Sequence, residues 1–224
     1  LTLNEGDFVT VIGGNGAGKS TMLNAVAGTW QVDEGQIIID GIDVTKLSEH
    51  KRAAYLGRVF QDPMTGTAAT MGIEENLALA KRRGKSRLLR PGITRQEREE
   101  YHELLKILGL GLEDRLTSKV GLLSGGQRQA LTLLMATLKK PQLLLLDEPA
   151  AGMNPNETGE LMETIQFVRE HFGMTILLIE HDMKLVSGIC EELTVLNFGQ
   201  VLAQGKTADV LNNPEVISAY LGDE

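Results

Sequence analysis

The sequence contains little cysteine, no long apolar run and no excess of basic residues, and each shortage excludes a class of protein. Cys190 is the one cysteine among the 224 residues, which excludes an internal disulfide and a cysteine-rich metal site and is typical of a reducing compartment. No apolar run approaches the roughly 18 residues of a membrane-crossing helix. The net charge of −8 argues against nucleic acid as a partner, because proteins that bind phosphate backbones usually carry a basic excess.

Apolar segments of strand length alternate with helical patterns along most of the chain. The predicted strands are 8–12, 36–39, 56–60, 143–146, 175–179 and 193–196. Helical patterns lie between several of them, as at 19–27 and 157–171. This alternation predicts an α/β fold with a mostly parallel sheet that is covered by helices.

Residues 66–140 interrupt this alternation with two helical patterns, at 74–83 and 95–108. The second pattern places four apolar residues on one face: Tyr101, Leu104, Leu105 and Leu108. We therefore predict a helical subdomain over 66–140, inserted into a core that is formed by 1–65 and 141–224.

A basic segment lies between the two helical patterns. Residues 81–90 contain six basic side chains in ten. Two interpretations stay open: a solvated loop, or a contact with anionic lipid or an acidic partner.

A glycine-rich segment follows the first predicted strand directly and precedes a predicted helix. Residues 13–20 read GGNGAGKS and fit the phosphate-loop pattern G-x-x-x-x-G-K-[ST] in the strand–helix context that the pattern requires. Backbone N–H groups of such a loop and the positive end of the helix dipole bind phosphates. The pattern assigns Lys19 to the β- and γ-phosphates and the Ser20 hydroxyl to Mg²⁺. The predicted ATP-binding residues here are Gly13, Asn15, Gly16, Ala17, Gly18, Lys19, Ser20 and Thr21.

Two acids follow the apolar strand 143–146. In α/β sheets ligands collect at the carboxyl ends of strands, so we assign Asp147 to the Mg²⁺ shell. Glu148 points the other way if the strand alternation continues, and would then align or deprotonate a water beside the γ-phosphate. An acidic pair alone would indicate a solvated strand end, whereas beside a phosphate loop it indicates nucleotide hydrolysis.

The segment LLSGGQRQA, residues 122–130, places two adjacent glycines before an apolar run. Ser124 and Gln127 form a capping-box pattern for the helix that follows. A cap does not need two glycines behind the serine, but close approach to a ligand does. The pair of glycines therefore favours a binding role over capping alone.

The phosphate loop, LSGGQ and LLLLDEP together resemble the nucleotide-binding subunit of an ATP-binding cassette (ABC) transporter along essentially the whole chain. The resemblance implies a RecA-like core with an inserted helical subdomain. It also implies two cassettes arranged head to tail, with the LSGGQ segment of one chain closing over ATP on the phosphate loop of the other. The residues expected to close that site are Ser124, Gly125, Gly126 and Gln127.

The resemblance assigns roles to two further residues. Gln61 matches the glutamine that links the metal site to the helical subdomain and senses the membrane partner, so we expect it to take part in Mg²⁺ binding and catalysis. His181 matches the histidine that contacts the γ-phosphate. The implied cofactors are ATP and Mg²⁺, and the implied partners are a second cassette and membrane-spanning transporter subunits. The chain itself is expected in the cytoplasm, bound peripherally to the cytoplasmic face of the cell membrane.

Different parts of the chain resemble different branches of the family. Similarity to the ATPases of branched-chain amino-acid importers is carried by 150–155, 180–183 and 216–222. The segments 60–71 and 121–127 instead resemble a branch found beside putative importers of amino acids or other solutes. One hypothesis is therefore a hybrid of two branches, natural or engineered, joined near 147–149.

The sequence thus predicts the ATP-hydrolysing subunit of an importer, with amino acids as the solute class. Two alternatives belong to other classes: a soluble cassette protein acting in translation or DNA repair, and a module that dimerises on ATP without hydrolysing it. A single cassette with an acidic balance disfavours the first alternative. The presence of both Glu148 and His181 disfavours the second.

Overall fold

The computed structural model describes residues 1–84 and 92–221, which form a six-stranded sheet, a small two-stranded sheet and the helices that cover them. The strands are β1 Phe8–Gly13, β2 Ile38–Ile39, β3 Ile42–Asp43, β4 Leu56–Val59, β5 Leu143–Asp147, β6 Thr175–Ile179, β7 Glu192–Asn197 and β8 Gln200–Lys206. The helices are α1 Lys19–Ala27, α2 Glu49–Arg52, α3 Ile73–Lys81, α4 Arg95–Lys106, α5 Gly125–Thr137, α6 Pro155–Phe172, α7 Met183–Ile189, α8 Thr207–Leu211 and α9 Pro214–Val216. None of these helices is both long enough and apolar enough to cross a membrane.

The large sheet has the strand order β4-β5-β6-β1-β7-β8. Every neighbouring pair is parallel except β7 and β8, so the predicted mostly parallel α/β sheet is confirmed. The strand pattern does not predict β8, whose residues are largely exposed at the edge of the sheet and therefore lack an apolar signature. The predicted strand at 36–39 is too long, because the N–H of Ile37 binds the Thr45 hydroxyl and only Ile38–Ile39 pairs with β3.

Both faces of the large sheet are covered, which explains the near-continuous apolar strands in the sequence. All six residues of β1 are buried. Phe8 and Ile12 pack into the apolar cluster on one face, whereas Val9 and Val11 pack into the cluster on the other. The sheet is thereby fixed from both sides, and the loops at its carboxyl edge start from a rigid base.

The segment between β4 and β5 is helical and has an apolar cluster of its own. The two predicted helices occur, with ends shifted by one or two residues, as α3 and α4. Tyr101 and Leu105 are fully buried in this cluster, and Leu104 and Leu108 pack against it, as the apolar face predicts. Residues 85–90 of the basic segment lie outside the described residues.

A buried arginine holds the C-terminal end of α1. The Arg52 side chain donates hydrogen bonds to the carbonyl oxygens of Ala25 and Val26 in α1, and to those of Thr45 and Leu47. Carbonyl oxygens at a helix end have few partners within the helix, so the guanidinium supplies donors to those of Ala25 and Val26 and also complements the negative end of the helix dipole. Arg52 therefore ties the helix after the phosphate loop to the segment before β4.

We expect Arg52→Met to lower the free energy of unfolding by about 3 kcal/mol, because several buried carbonyls lose a charged donor. The measurement is chemical denaturation followed by circular dichroism. Arg95→Met is the control, since Arg95 lies exposed on α4 in an ion pair with Glu99 and should change stability by less than about 0.5 kcal/mol. Equal losses in the two variants would contradict the structural role of Arg52.

Candidate nucleotide-binding site

The predicted phosphate loop joins β1 to α1 at the carboxyl edge of the sheet. Gly16 and Gly18 adopt left-handed backbone conformations, with φ of 80° and 100°, which glycine tolerates without strain. Gly14, Asn15 and Gly16 are exposed, and no atom lies within 4 Å of a Cβ placed on Gly14 or Gly16. Gly18 caps α1 without a side chain, so the helix start is open to an anion.

Lys19 lies across this loop. Its Nζ donates hydrogen bonds to the carbonyl oxygens of Gly13, at 2.6 Å, and Gly14, at 3.2 Å. The ammonium group is thus held at the centre of the loop, where it can contact phosphate oxygens. Ser20 and Thr21 follow in the first turn of α1, and both are exposed.

The two acids lie at the carboxyl end of β5, between β4 and β6. Asp147 is the last residue of the strand, and its Oδ2 lies 3.2 Å from a terminal guanidinium nitrogen of Arg58 on β4. Arg58 also lies within hydrogen-bond distance of the Thr29 hydroxyl, at 3.3 Å. The sequence pattern gives no role to Arg58, although an arginine inside the otherwise apolar strand 56–59 was an available signal.

Glu148 follows Asp147 but does not continue the strand. It has a φ of 43°, in the left-handed region, so its direction is set by this backbone turn and the predicted alternation ends at Asp147. A non-glycine residue in this conformation is strained and is typical of functional sites. The Glu148 Oε2 lies 3.2 Å from Gln61 Nε2 and 3.8 Å from His181 Nδ1. The three predicted catalytic residues therefore lie together.

Sheet order explains this convergence. Gln61 follows β4, Glu148 follows β5 and His181 follows β6, and these three strands are adjacent and parallel. The next strand along is β1, which carries the phosphate loop. Four consecutive strands thus deliver the loop and the three polar side chains to one edge of the sheet.

A second acid lies beside His181. Glu180 is 1% exposed, and its carboxylate accepts hydrogen bonds from the backbone N–H groups of Ala150, His181 and Asp182. The sequence pattern assigns no role to Glu180. A charged residue directly after the apolar strand β6 and before His181 was the available signal.

The LSGGQ segment lies at the start of α5, which packs against α3, α6 and β4. Ser124 Oγ accepts the Gln127 N–H at 3.2 Å, and Gln127 Oε1 accepts the Ser124 N–H, so the predicted capping box is present. Ser124 and Gly125 are exposed, and no atom lies within 4 Å of a Cβ placed on Gly125. Packing within the chain therefore does not require a glycine at 125, whereas Gly126 lies closer to α6.

The side chains at this edge fit ATP and Mg²⁺. The open loop and helix start supply N–H groups, and Lys19 supplies a cation for the phosphates. The Ser20 hydroxyl, the Asp147 carboxylate and the Gln61 amide supply oxygen donors, which Mg²⁺ prefers. Among the described residues no cluster of three or more His, Cys, Asp or Glu side chains could hold a metal.

Comparisons with known proteins agree with this site. The profile of the family described as ABC transporter matches residues 1–151. A second profile, described as branched-chain amino acid ATP-binding cassette transporter, matches residues 200–224. The chain is 39% identical over 213 residues to a tyrosine transport ATP-binding protein of Clostridioides difficile, covering 95% of this chain and 84% of that protein.

Two further similarities extend along nearly the whole chain. BraF of Pseudomonas aeruginosa, a high-affinity branched-chain amino acid transport ATP-binding protein, is 38% identical over 234 residues, covering 100% of this chain and 90% of that protein. A dimeric ATP-binding cassette with bound ADP and Pi, in a post-hydrolysis state, matches with a TM-score of 0.76 and 28% identity, covering 92% of this chain and 88% of that chain. Relatives with different printed substrates each align along most of the chain, and these alignments do not compare its two parts separately. The hypothesis of a hybrid chain therefore stays a prediction. The family profile matches most of the chain, and the relatives are similar along nearly all of it. The chain therefore belongs to the ABC transporter family of ATP-binding cassettes.

Proposed function

We propose that this cassette hydrolyses ATP as one half of a head-to-tail cassette dimer and thereby drives an amino-acid importer. The solute class is supported by the relatives, which are named for the transport of tyrosine and branched-chain amino acids. The dimer is supported by the dimeric cassette of similar fold that holds ADP and Pi. In this proposal the chain is bound peripherally to membrane-spanning subunits on the cytoplasmic face of the cell membrane.

The observation that carries the dimer proposal is the open start of α5. Gly125 is exposed and has no neighbour that would exclude a side chain, yet the adjacent capping box holds the backbone in a defined conformation. A rigid, bare helix start of this kind is suited to an anion that arrives from outside the chain. We propose that this anion is the γ-phosphate of ATP held by the other cassette, contacted by the segment 124–127.

The proposed roles within one site follow the geometry. The loop 13–18 and the first turn of α1 bind the phosphates, with Lys19 on the β- and γ-phosphates. Ser20, Asp147 and Gln61 would hold Mg²⁺, which neutralises charge on the phosphate oxygens when it is bound.

Glu148 aligns a water or accepts its proton, because its carboxylate lies beside Gln61 and His181 at the edge of the sheet that also carries the phosphate loop. His181 contacts the γ-phosphate and restrains Glu148. Catalysis in this arrangement consists of positioning and electrostatic stabilisation.

We also propose that residues 66–140 act as a helical subdomain that docks the membrane-spanning subunits together with Gln61. The separate apolar cluster formed by α3, α4 and α5 supports this division. The ion pair between Glu74 on α3, which is buried, and Arg98 on α4, which is exposed, links the two helices further.

A mixing experiment tests the shared site. Lys19→Ala removes the phosphate-loop cation and Ser124→Ala changes the LSGGQ segment, so homodimers of either variant contain two defective sites. A mixed dimer contains one site in which both parts are intact. We expect an equimolar mixture to recover about a quarter of the wild-type phosphate release, as random pairing of head-to-tail subunits predicts.

The control separates the binding role of Ser124 from helix capping. Thr94 forms the same capping box at the start of α4, so Thr94→Ala removes a cap at a comparable cost of about 1 kcal/mol. Thr94→Ala should retain phosphate release by itself. A mixture of Lys19→Ala and Ser124→Ala with no more activity than either variant alone would contradict the proposed dimer site.

A further inference from the structure

A buried carboxylate joins the two loops that carry Glu148 and His181. Glu180 Oε1 accepts the N–H of Ala150 at 3.1 Å. Its Oε2 accepts the N–H of His181 at 2.8 Å and that of Asp182 at 3.1 Å. One side chain thus binds the backbone of the loop after β5 and that of the loop after β6.

These contacts lie next to Glu148 and His181, the two residues that act on the γ-phosphate in the proposed mechanism. Ala150 is two residues after Glu148, and the N–H of Glu148 itself donates to the carbonyl oxygen of Ile179 at 2.9 Å. The loop of Glu148 is therefore attached to the end of β6 at two points. On the other side, His181 Nδ1 lies 3.6 Å from Glu180 Oε2 and 3.8 Å from Glu148 Oε2.

The chemistry of these contacts requires a carboxylate. All three donors are backbone N–H groups, so both oxygens of Glu180 act as acceptors. A glutamine in this place would direct an NH₂ group toward at least one of these N–H groups, leaving a buried donor without an acceptor. The substitution would keep the volume of the side chain and break the link on one side.

We propose that Glu180 is a positioning residue that fixes His181 and the loop of Glu148 relative to each other. The inference rests on the proposed function, because it assumes that Glu148 and His181 act on the γ-phosphate. The hydrogen bonds of Glu180 go to Ala150, His181 and Asp182, and none of them goes to the phosphate loop between β1 and α1. The loss of Glu180 should therefore slow hydrolysis without weakening ATP binding.

The first test separates rate from affinity. We expect Glu180→Gln to lower kcat by about 10- to 100-fold, the range typical of residues that orient reacting groups, with ATP affinity within about twofold of wild type. Glu180→Asp keeps both acceptor oxygens and the charge on a shorter side chain, and should give an intermediate loss. Glu74→Gln is the matched control, because Glu74 is also buried but pairs with Arg98 between α3 and α4.

The second test is a double-mutant cycle with His181→Ala. If Glu180 acts through His181, adding Glu180→Gln to His181→Ala should lower kcat by much less than it does in the wild-type background. A residue that only stabilises the fold would cause the same fold-loss in both backgrounds, and that result would overturn the inference. A wild-type kcat in Glu180→Gln would also overturn it. If Glu180→Gln does not fold, the same cycle is run with Glu180→Asp and judged by the same criteria.

The third measurement does not depend on activity. Hydrogen exchange at the amides of Ala150, His181 and Asp182, resolved by NMR, should accelerate in Glu180→Gln and remain unchanged in Glu74→Gln. Unchanged exchange at all three amides would overturn the inference. If His181→Ala and Glu148→Gln keep full phosphate release, the proposed function fails, whereas the exchange data still decide whether Glu180 joins the two loops.

Discussion

Glu148→Gln is expected to lower phosphate release by about 10²- to 10⁴-fold, the usual contribution of a general base, while ATP still binds. The amide keeps the shape of the side chain and a hydrogen-bonding oxygen, but it cannot accept a proton from the attacking water. Gln61 and His181, which lie 3.2 Å and 3.8 Å from the Glu148 carboxylate, should keep the side chain in place. The measurement is a coupled phosphate-release assay under saturating ATP and Mg²⁺.

The same variant should accumulate as an ATP-bound dimer. Because ATP joins two cassettes in the proposed site, blocking hydrolysis removes the step that lets them separate. Size-exclusion chromatography with ATP and Mg²⁺ should show a dimer for Glu148→Gln and a monomer without nucleotide. Glu163→Gln, at an exposed position on α6, is the control and should retain both activity and the wild-type elution. A Glu148→Gln protein that hydrolyses ATP normally would refute the assigned base, and one that stays monomeric would count against the two-chain site.

Lys19→Ala is expected to weaken ATP binding by about 100-fold or more, because hydrogen bonds to charged groups contribute about 1.5–3 kcal/mol each. The Lys19 ammonium is the cation that the loop holds in place through the carbonyl oxygens of Gly13 and Gly14. Equilibrium binding of a fluorescent ATP analogue, with competition by ATP, measures the change.

The control for Lys19→Ala is Lys106→Ala, at an exposed position near the end of α4. It removes the same charge from the chain, so it tests whether net charge alone affects ATP affinity. Thermal unfolding without nucleotide should be measured for both variants, since Lys19 also satisfies carbonyls of the loop. Unchanged ATP affinity in Lys19→Ala would refute the phosphate-loop assignment.

Local patterns predicted the parts of the site that are encoded over short stretches of chain. The strand, the glycine-rich loop and the helix that carries Lys19 are consecutive, so their order in the sequence is also their order in space. The capping box of Ser124 and Gln127 is equally local, and it is present at the start of α5. The apolar stripe of α4 predicted correctly which side, with Tyr101 and Leu105, would be buried.

Several features were not predictable from local patterns. Strand alternation did not predict the left-handed backbone turn at Glu148. This turn is supported by a hydrogen bond from the Glu148 N–H to the carbonyl oxygen of Ile179 on a different strand, and a local pattern does not contain that contact. The antiparallel strand β8 is exposed at the edge of the sheet and lacks the apolar pattern that marks the other strands. Arg52 is charged and would be expected at the surface, yet it is fully buried because backbone carbonyls from α1 and from the segment before α2 satisfy it.

Sequence patterns were sufficient to identify the chemical groups of this protein: a phosphate-loop pattern, a pair of acids after an apolar strand, and two glycines at the start of a capped helix. Those patterns could not show that Gln61 and Glu148, which are 87 residues apart in the chain, lie within hydrogen-bond distance in the folded protein. Nor could they show that the Glu180 carboxylate joins the loops of Ala150 and His181. The physical reason is that local periodicity specifies which faces are buried, whereas the order of strands in a parallel sheet depends on how all the helices and strands pack together.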